Sequence, residues 1–178
     1  MKETMLVTGG CRSGKSAYAL GAAEKMDVSQ RYFLATCEPA DDEMRARVDR
    51  HKQERGDHWR TVECPVKIAD AITDIQESDA VVLVDCLTLW MSNLLAAGGD
   101  QVELEKHIAG LRRAIERATA SVVVVSNEVG CGIVPENGLA RLYRDMVGLA
   151  NQRLAESVGR VVWMVSGMPV TVKEGPAA

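Results

Sequence analysis

Residues 9–16 read Gly9-Gly10-Cys11-Arg12-Ser13-Gly14-Lys15-Ser16, a complete G-x-x-x-x-G-K-S pattern, and directly before them runs the apolar Met5-Leu6-Val7. No other part of the chain constrains the fold as strongly. A buried strand ends and glycines let the backbone turn its N–H groups toward one point. A helix then opens at Gly14-Lys15-Ser16 with its positive end facing that same point. Such a cradle takes phosphate. Lys15 would reach the terminal phosphates of a nucleoside triphosphate, and the Ser16 hydroxyl would help hold Mg2+. The helix-compatible Ala17-Tyr18-Ala19-Leu20 that follows separates this pattern from a chance Gly-rich turn.

The rest of the chain repeats the same strand-then-helix rhythm. Apolar, β-rich runs occur at about 4–8, 31–36, 80–85, 121–126 and 160–166. Between them lie segments of helical period. The clearest is near 102–118, where Leu104, Ile108, Leu111 and Ile115 share one face. A second follows Pro135, with Leu139, Leu142, Tyr143, Met146, Leu149 and Leu154 recurring at three and four. Val81-Val82-Leu83-Val84 and Val122-Val123-Val124-Val125 are apolar on both faces, as in the middle of a parallel sheet covered by helices. The expectation is a three-layer α/β sandwich with a mostly parallel sheet, in one domain of 178 residues. Glu174-Gly175-Pro176-Ala177-Ala178 reads as a loose tail.

Composition removes several function classes. A net charge of −4 offers no basic field to draw in nucleic acid. No apolar stretch approaches the ~18 residues that a bilayer span requires. The chain enters its first strand almost at once, so no signal or transit peptide is expected. Cys11, Cys37, Cys64, Cys86 and Cys131 are odd in number and scattered, with no C-x-x-C pair. Reduced thiols in the cytoplasm fit that pattern better than a disulfide frame or a zinc site.

Ligands of such sheets sit at the carboxyl ends of the strands. The run ending at Val84 delivers Asp85, either a partner for Mg2+ or the cap of a turn; a phosphate loop in the same chain favours magnesium. Thr36, Cys37 and Glu38 follow the second strand, and Thr36 and Glu38 are either nucleotide contacts or turn residues. Ser126-Asn127-Glu128 follow the fourth.

Residues 41–63 are of another kind. Asp41-Asp42-Glu43 suit a helix N-terminus, basic residues fill the later turns, and Gly56 stops the run. At helical spacing Arg47, His51 and Arg55 stack on one stripe, beside Met44 and Val48. A neutral imidazole between two guanidinium groups suits attack on phosphorus, with the arginines holding charged oxygens. The same pattern also describes a solvated basic helix with one half-buried histidine.

The chain resembles the bifunctional adenosylcobinamide kinase/adenosylcobinamide-phosphate guanylyltransferase family of cobalamin assembly over nearly its whole length. The resemblance rests on the phosphate loop, on Asp41-Asp42-Glu43-Met44 with His51-Lys52, on Trp59-Arg60-Thr61-x-Glu63 and on Asn93-Leu94-Leu95. It continues through Asn127-Glu128-Val129-Gly130-x-Gly132-Ile133-Val134-Pro135-Glu136-Asn137, Asn151-Gln152-Arg153-Leu154 and Val165-Ser166-Gly167. Cys11 stands where Ala is common, and Arg50 precedes His51 where some members have a second His. By this resemblance the enzyme phosphorylates adenosylcobinamide with ATP or GTP. It then transfers GMP from GTP to adenosylcobinamide phosphate, with His51 carrying GMP as a phosphoramidate. The resemblance also implies nucleotide contacts from Gly9, Gly10, Cys11, Arg12, Ser13, Gly14, Lys15, Ser16, Thr36, Cys37, Glu38, Lys52, Gln53, Glu54, Arg55, Glu63 and Asp85, a fold similar to the RecA-type sheet, and a homotrimer with sites near subunit boundaries. For such contact between subunits, the sequence itself offers the apolar run Leu87, Leu89, Trp90, Met91, Leu94 and Leu95, which reads equally as a buried helix. The rival readings are a small-molecule kinase without nucleotidyl transfer and a GTP-driven switch, the latter opposed by the lack of an N-K-x-D motif.

Overall fold

The structure, a computed structural model, describes residues 2–38 and 55–175. β1 (Thr4–Gly9) passes through the phosphate loop into α1 (Lys15–Glu24), and β2 (Gln30–Ala35) follows. Beyond Arg55 come β3 (Arg60–Glu63), α2 (Ile68–Asp74), β4 (Ala80–Asp85), α3 (Leu87–Ala96) and α4 (Gln101–Arg117). The chain closes with β5 (Ser121–Val125), α5 (Gly138–Ser157), β6 (Arg160–Val165) and β7 (Met168–Glu174). One seven-stranded sheet results, in the order β3-β2-β4-β5-β1-β6-β7. Every neighbouring pair is parallel except β6 with β7. This is the expected mostly parallel α/β fold.

Alternation along the central strands builds the layers. In β1, Leu6 packs toward α2–α5, while Met5 and Val7 face α1. In β5, Val122 and Val124 take the first side and Val123 and Val125 the second, all four fully buried. Strands sealed on both faces need no polar side chains, which is why these runs read as continuous valine. α4 fits its expected span, and Asp100 caps it by accepting from the Glu103 N–H at 2.9 Å.

Three expectations change or resolve here. Leu87, Trp90, Met91 and Leu94 of α3 lie in the protein's own core, with Leu89 and Leu95 partly buried, so this run is for the most part a buried helix. The segment read as a tail begins inside a strand: Glu174 pairs with Arg160 on β6, and the Gly175 N–H donates to the Gly159 carbonyl at 3.0 Å. Finally, α2, β3 and β7 went unread. β3 is only four residues long with every residue exposed, and β7 is a solvent-facing edge strand. Neither carries the buried periodicity that marks the interior strands.

Candidate active site

The register of the sheet gathers residues that are far apart in sequence. Glu63, Ala35, Asp85, Val125 and Val7 form one continuous row across β3, β2, β4, β5 and β1. Partners in a parallel register point to the same face, so Glu63 and Asp85 share the face of Val7 and Val125, the face that α1 covers. Beyond this row, at the carboxyl ends of the strands, lie the phosphate loop and Thr36, Cys37 and Glu38. The topology therefore brings together every described residue expected there except Arg55, at the rim where α/β sheets bind ligands.

The phosphate loop has a defined shape. Gly9 takes φ +154°, and a Cβ there would lie 2.6 Å from both the Met164 carbonyl oxygen and Ser13 Oγ, so no larger residue fits. Gly14, at φ +87°, caps α1 without any side-chain hydrogen bond, leaving the first-turn N–H groups free to face an anion. The loop is held from its own side by Ser13 N–H to the Gly10 carbonyl at 3.3 Å. From below, the Gly167 N–H donates to the Ser13 carbonyl at 3.1 Å. Lys15 Nζ bridges the loop by donating to the Gly10 carbonyl at 2.9 Å, which fixes the ammonium over its mouth. Ser13 Oγ is buried with no partner among the described residues. Cys11 and Arg12 are exposed on the outside of the loop, and Arg12 adopts φ +54°.

Thr36 forms part of the frame of this site. It is fully buried. Its hydroxyl donates to the Cys86 carbonyl at 2.8 Å and accepts from the Cys86 N–H at 2.7 Å, its N–H donates to the Asp85 carbonyl, and its own carbonyl accepts from Asn93 Nδ2 at 2.8 Å. The hydroxyl and N–H of Thr36 thus tie the end of β2 to the Asp85–Cys86 turn, and its carbonyl ties it to α3. Asn93 also donates to the Pro65 carbonyl at 3.0 Å, fastening the exit of β3 to the same point. Its signal was a lone amide in the apolar run Leu89-Trp90-Met91-Ser92-Asn93-Leu94-Leu95. Burial and the adjacent Asp85 carboxylate push the Cys86 thiol above its ordinary range, so next to the rim it stays a neutral thiol. Cys37 is half-buried, while Glu38 and Glu63 are exposed.

Arg55 lies below the rim on the α1 face. It is buried, with its guanidinium 3.6 Å from the centroid of the Phe33 ring, one pleat down from Ala35. Trp59 meets the same ring edge-on and donates from Nε1 to Glu24 Oε1 at 2.6 Å, while His58 Nε2 lies 2.9 Å from that oxygen. Sequence reasoning missed this anchor, which pins the chain entering β3 to the last turn of α1. An indole in the polar run Asp57-His58-Trp59-Arg60 was its one signal. His51, Lys52, Gln53 and Glu54 lie outside the described residues.

Among the described residues no three His, Cys, Asp or Glu side chains converge into a self-sufficient metal cage. Asp85 and Ser16 bring hard oxygen donors, a carboxylate and a hydroxyl. With phosphate oxygens they would make the sparse set that suits Mg2+, which keeps most of its own water.

Comparison with known proteins agrees with this geometry. The family described as cobinamide kinase / cobinamide phosphate guanyltransferase matches residues 5–172. The bifunctional adenosylcobalamin biosynthesis protein CobU of Salmonella typhimurium is 44% identical, over 95% of this chain and 99% of that one. Its Escherichia coli K12 counterpart is 42% identical over the same shares. Among solved structures, the assembled ATPase EscN of the enteropathogenic E. coli type III secretion system superposes with a TM-score of 0.57 at 12% identity, covering 93% of this chain and 43% of that one. At that identity the likeness concerns the fold, a P-loop ATPase sheet.

Proposed function

This chain belongs to the cobinamide kinase / cobinamide phosphate guanyltransferase family, and from that premise we propose how its residues divide two chemistries at phosphorus. It is a bifunctional enzyme of adenosylcobalamin biosynthesis, a kinase and a guanylyltransferase. The observation that carries the division is the single rim on which the phosphate loop, Asp85 and Glu63 meet on the α1 face.

In the kinase half, ATP or GTP lies in the loop. Backbone N–H groups and the start of α1 hold the phosphates, and Lys15 turns its ammonium from the Gly10 carbonyl to the transferring group. Asp85 and Ser16 would hold Mg2+, which when bound neutralises phosphate charge. In the guanylyl half, GTP yields pyrophosphate and a GMP adduct on His51, and the phosphate of adenosylcobinamide phosphate then takes the GMP to give adenosylcobinamide-GDP. A detachable nucleophile suits this half, because it holds GMP until the acceptor arrives. The imidazole attacks in its neutral form.

The test is incubation with α-labelled GTP. His51→Asn should abolish covalent label and the formation of adenosylcobinamide-GDP while phosphorylation of adenosylcobinamide continues. His58 and His107 are the controls, because both are committed elsewhere: His58 to Glu24, and His107 to an edge-on contact with Trp90 at 6.3 Å. Label that persists in the His51 variant would move the adduct to another residue, and label that comes only from the γ-position would leave a kinase without nucleotidyl transfer.

We further propose a cytoplasmic homotrimer. No helix of the described residues is long and apolar enough to cross a membrane. Apolar surface for contact between copies is available on the outer strands, where Trp163, Met168, Val170 and Val172 are all exposed and Trp163 pairs with Val170. Light scattering that shows a monomer at micromolar concentration removes the trimer.

A further inference from the structure

Ser126, Asn127 and Glu128 leave the end of β5, the strand between the phosphate-loop strand β1 and the Asp85 strand β4. The Glu128 N–H donates to the Gly9 carbonyl at 3.0 Å, so this residue is fastened to the first residue of the loop. Its side chain is half-buried and remains open to a ligand. From the face opposite α1, Asn151 of α5 donates from Nδ2 to the Asn127 carbonyl at 3.3 Å, with Glu128 Oε1 3.5 Å away. Asn127 Oδ1 and Asn151 Oδ1 are both buried, with no partner among the described residues. The strand tip is therefore rich in acceptors, a carboxylate and two amide oxygens, and the Asn151 amide donor is already committed. Buried acceptors left without donors call for a guest that brings one.

Resting on the kinase half of the reading above, we propose that Glu128 receives the hydroxyl of the kinase acceptor. The alcohol donates its hydrogen bond to the carboxylate. As its oxygen bonds to the γ-phosphorus, the bond from that phosphorus to the β,γ-bridging oxygen breaks, and its electron pair leaves with the nucleoside diphosphate. The hydroxyl proton passes to Glu128 and then to water. Asn151 is a positioning residue that turns the carboxylate toward the loop. A cation is the poorer guest here, because the Asn151 amide donor is directed at the same carboxylate and would face the metal with its own partial positive charge. The Asp85–Ser16 pair, with Asp85 on the α1 face, already supplies hard oxygens for one. The acceptor of the guanylyl half is a phosphate oxygen, which brings negative charge rather than a hydroxyl proton, so that half needs no such carboxylate.

Glu128→Gln tests this, since it keeps the size and an oxygen for Asn151. Phosphorylation of adenosylcobinamide should lose about 10²–10⁴-fold in kcat, the usual contribution of a general base. GTP affinity, label uptake from α-labelled GTP, and guanylylation of supplied adenosylcobinamide phosphate should stay as in wild type. Glu128→Asp should recover part of the kinase rate, and Asn151→Ala should lower kcat of the kinase half without changing KM for nucleotide. Full kinase activity in Glu128→Gln overturns the proposal. So does an equal loss in both halves, which marks a structural role, or a deficit repaired by added Mg2+, which marks a cation ligand. A wild-type protein that does not phosphorylate adenosylcobinamide at all would instead refute the kinase reading on which the proposal stands.

Discussion

Thr36→Val should cost far more than its size suggests. The substitution keeps the volume, so no cavity forms, but it removes the hydroxyl that joins both backbone groups of Cys86 at 2.7 and 2.8 Å. The Cys86 carbonyl keeps a second donor, the Trp90 N–H at 3.1 Å, and loses only one of its two bonds. The Cys86 N–H loses the hydroxyl it donates to, beside a residue that is fully buried. One orphaned N–H at about 1–3 kcal/mol and one lost bond at about 1 kcal/mol give about 3 kcal/mol. For a chain of this size that is a fall in Tm of about 6–12 °C. Thr36→Ser keeps both bonds and loses one methyl, a cost of about 1 kcal/mol. Thermal and urea unfolding of the pair separates hydrogen bonding from packing. A Thr36→Val protein that melts within about 2 °C of wild type, or no lower than Thr36→Ser, would refute the assignment of Thr36 as the tie between β2 and the Asp85–Cys86 turn.

Asp85→Asn should raise the Mg2+ concentration for half-maximal activity, because a neutral amide is a poorer ligand for a hard cation; an unchanged magnesium dependence would make Asp85 a turn residue. Burial alone would raise the Glu24 carboxyl, but hydrogen bonds from Trp59 and His58 and the Arg31 charge outweigh it and hold the carboxyl below its ordinary range. Its stabilising contribution is then complete above the unfolded value of about 4.3 and is lost as pH falls through the lower folded value. Urea midpoints measured from pH 5.5 downward should therefore fall less steeply in Glu24→Gln than in wild type, and parallel curves would show that the Trp59–Glu24 link does not titrate with folding.

What the sequence reveals depends on whether a residue answers to local or to distant demands. Gly9, Gly14 and Lys15 are legible because the loop's geometry is set within eight residues, where positive φ and close backbone approach admit few alternatives. The place of Asp85 at the rim is legible because an acid ending a buried valine-rich strand has no role in the core. Thr36 was read for its place at a strand end, and its actual partners lie 50 residues on at Cys86 and 57 residues on at Asn93. No local pattern reports that. Arg55 shows the same limit from the other direction. Its helical spacing from Arg47 and His51 suggested a hand for phosphate, and its stacking on Phe33 is a contact that only the packed sheet reveals. The core helix α3 was ambiguous for a third reason, since apolar runs look alike whether their cover is the same chain or another copy.

The strand order gives the proposed division of labour a physical basis. β4, with Asp85 at its end, lies between β2 and β5. Glu128 leaves β5 on the phosphate-loop side of that strand and is steadied by α5. Arg55 is stacked on Phe33 of β2, on the other side of β4. One loop serves both halves if the nucleotide changes which phosphorus it presents to its acceptor. Lys15 reaches across the loop to Gly10 on a long side chain, whereas the Asp85 backbone is held by the Thr36 N–H and Thr36 in turn by Asn93. Disturbing this fixed element should therefore damage both halves together, whereas Glu128→Gln and His51→Asn should each damage one. Thr36→Val, Glu128→Gln and His51→Asn, assayed side by side in both half-reactions, would show that pattern. A Thr36→Val enzyme that lost only one half would break it.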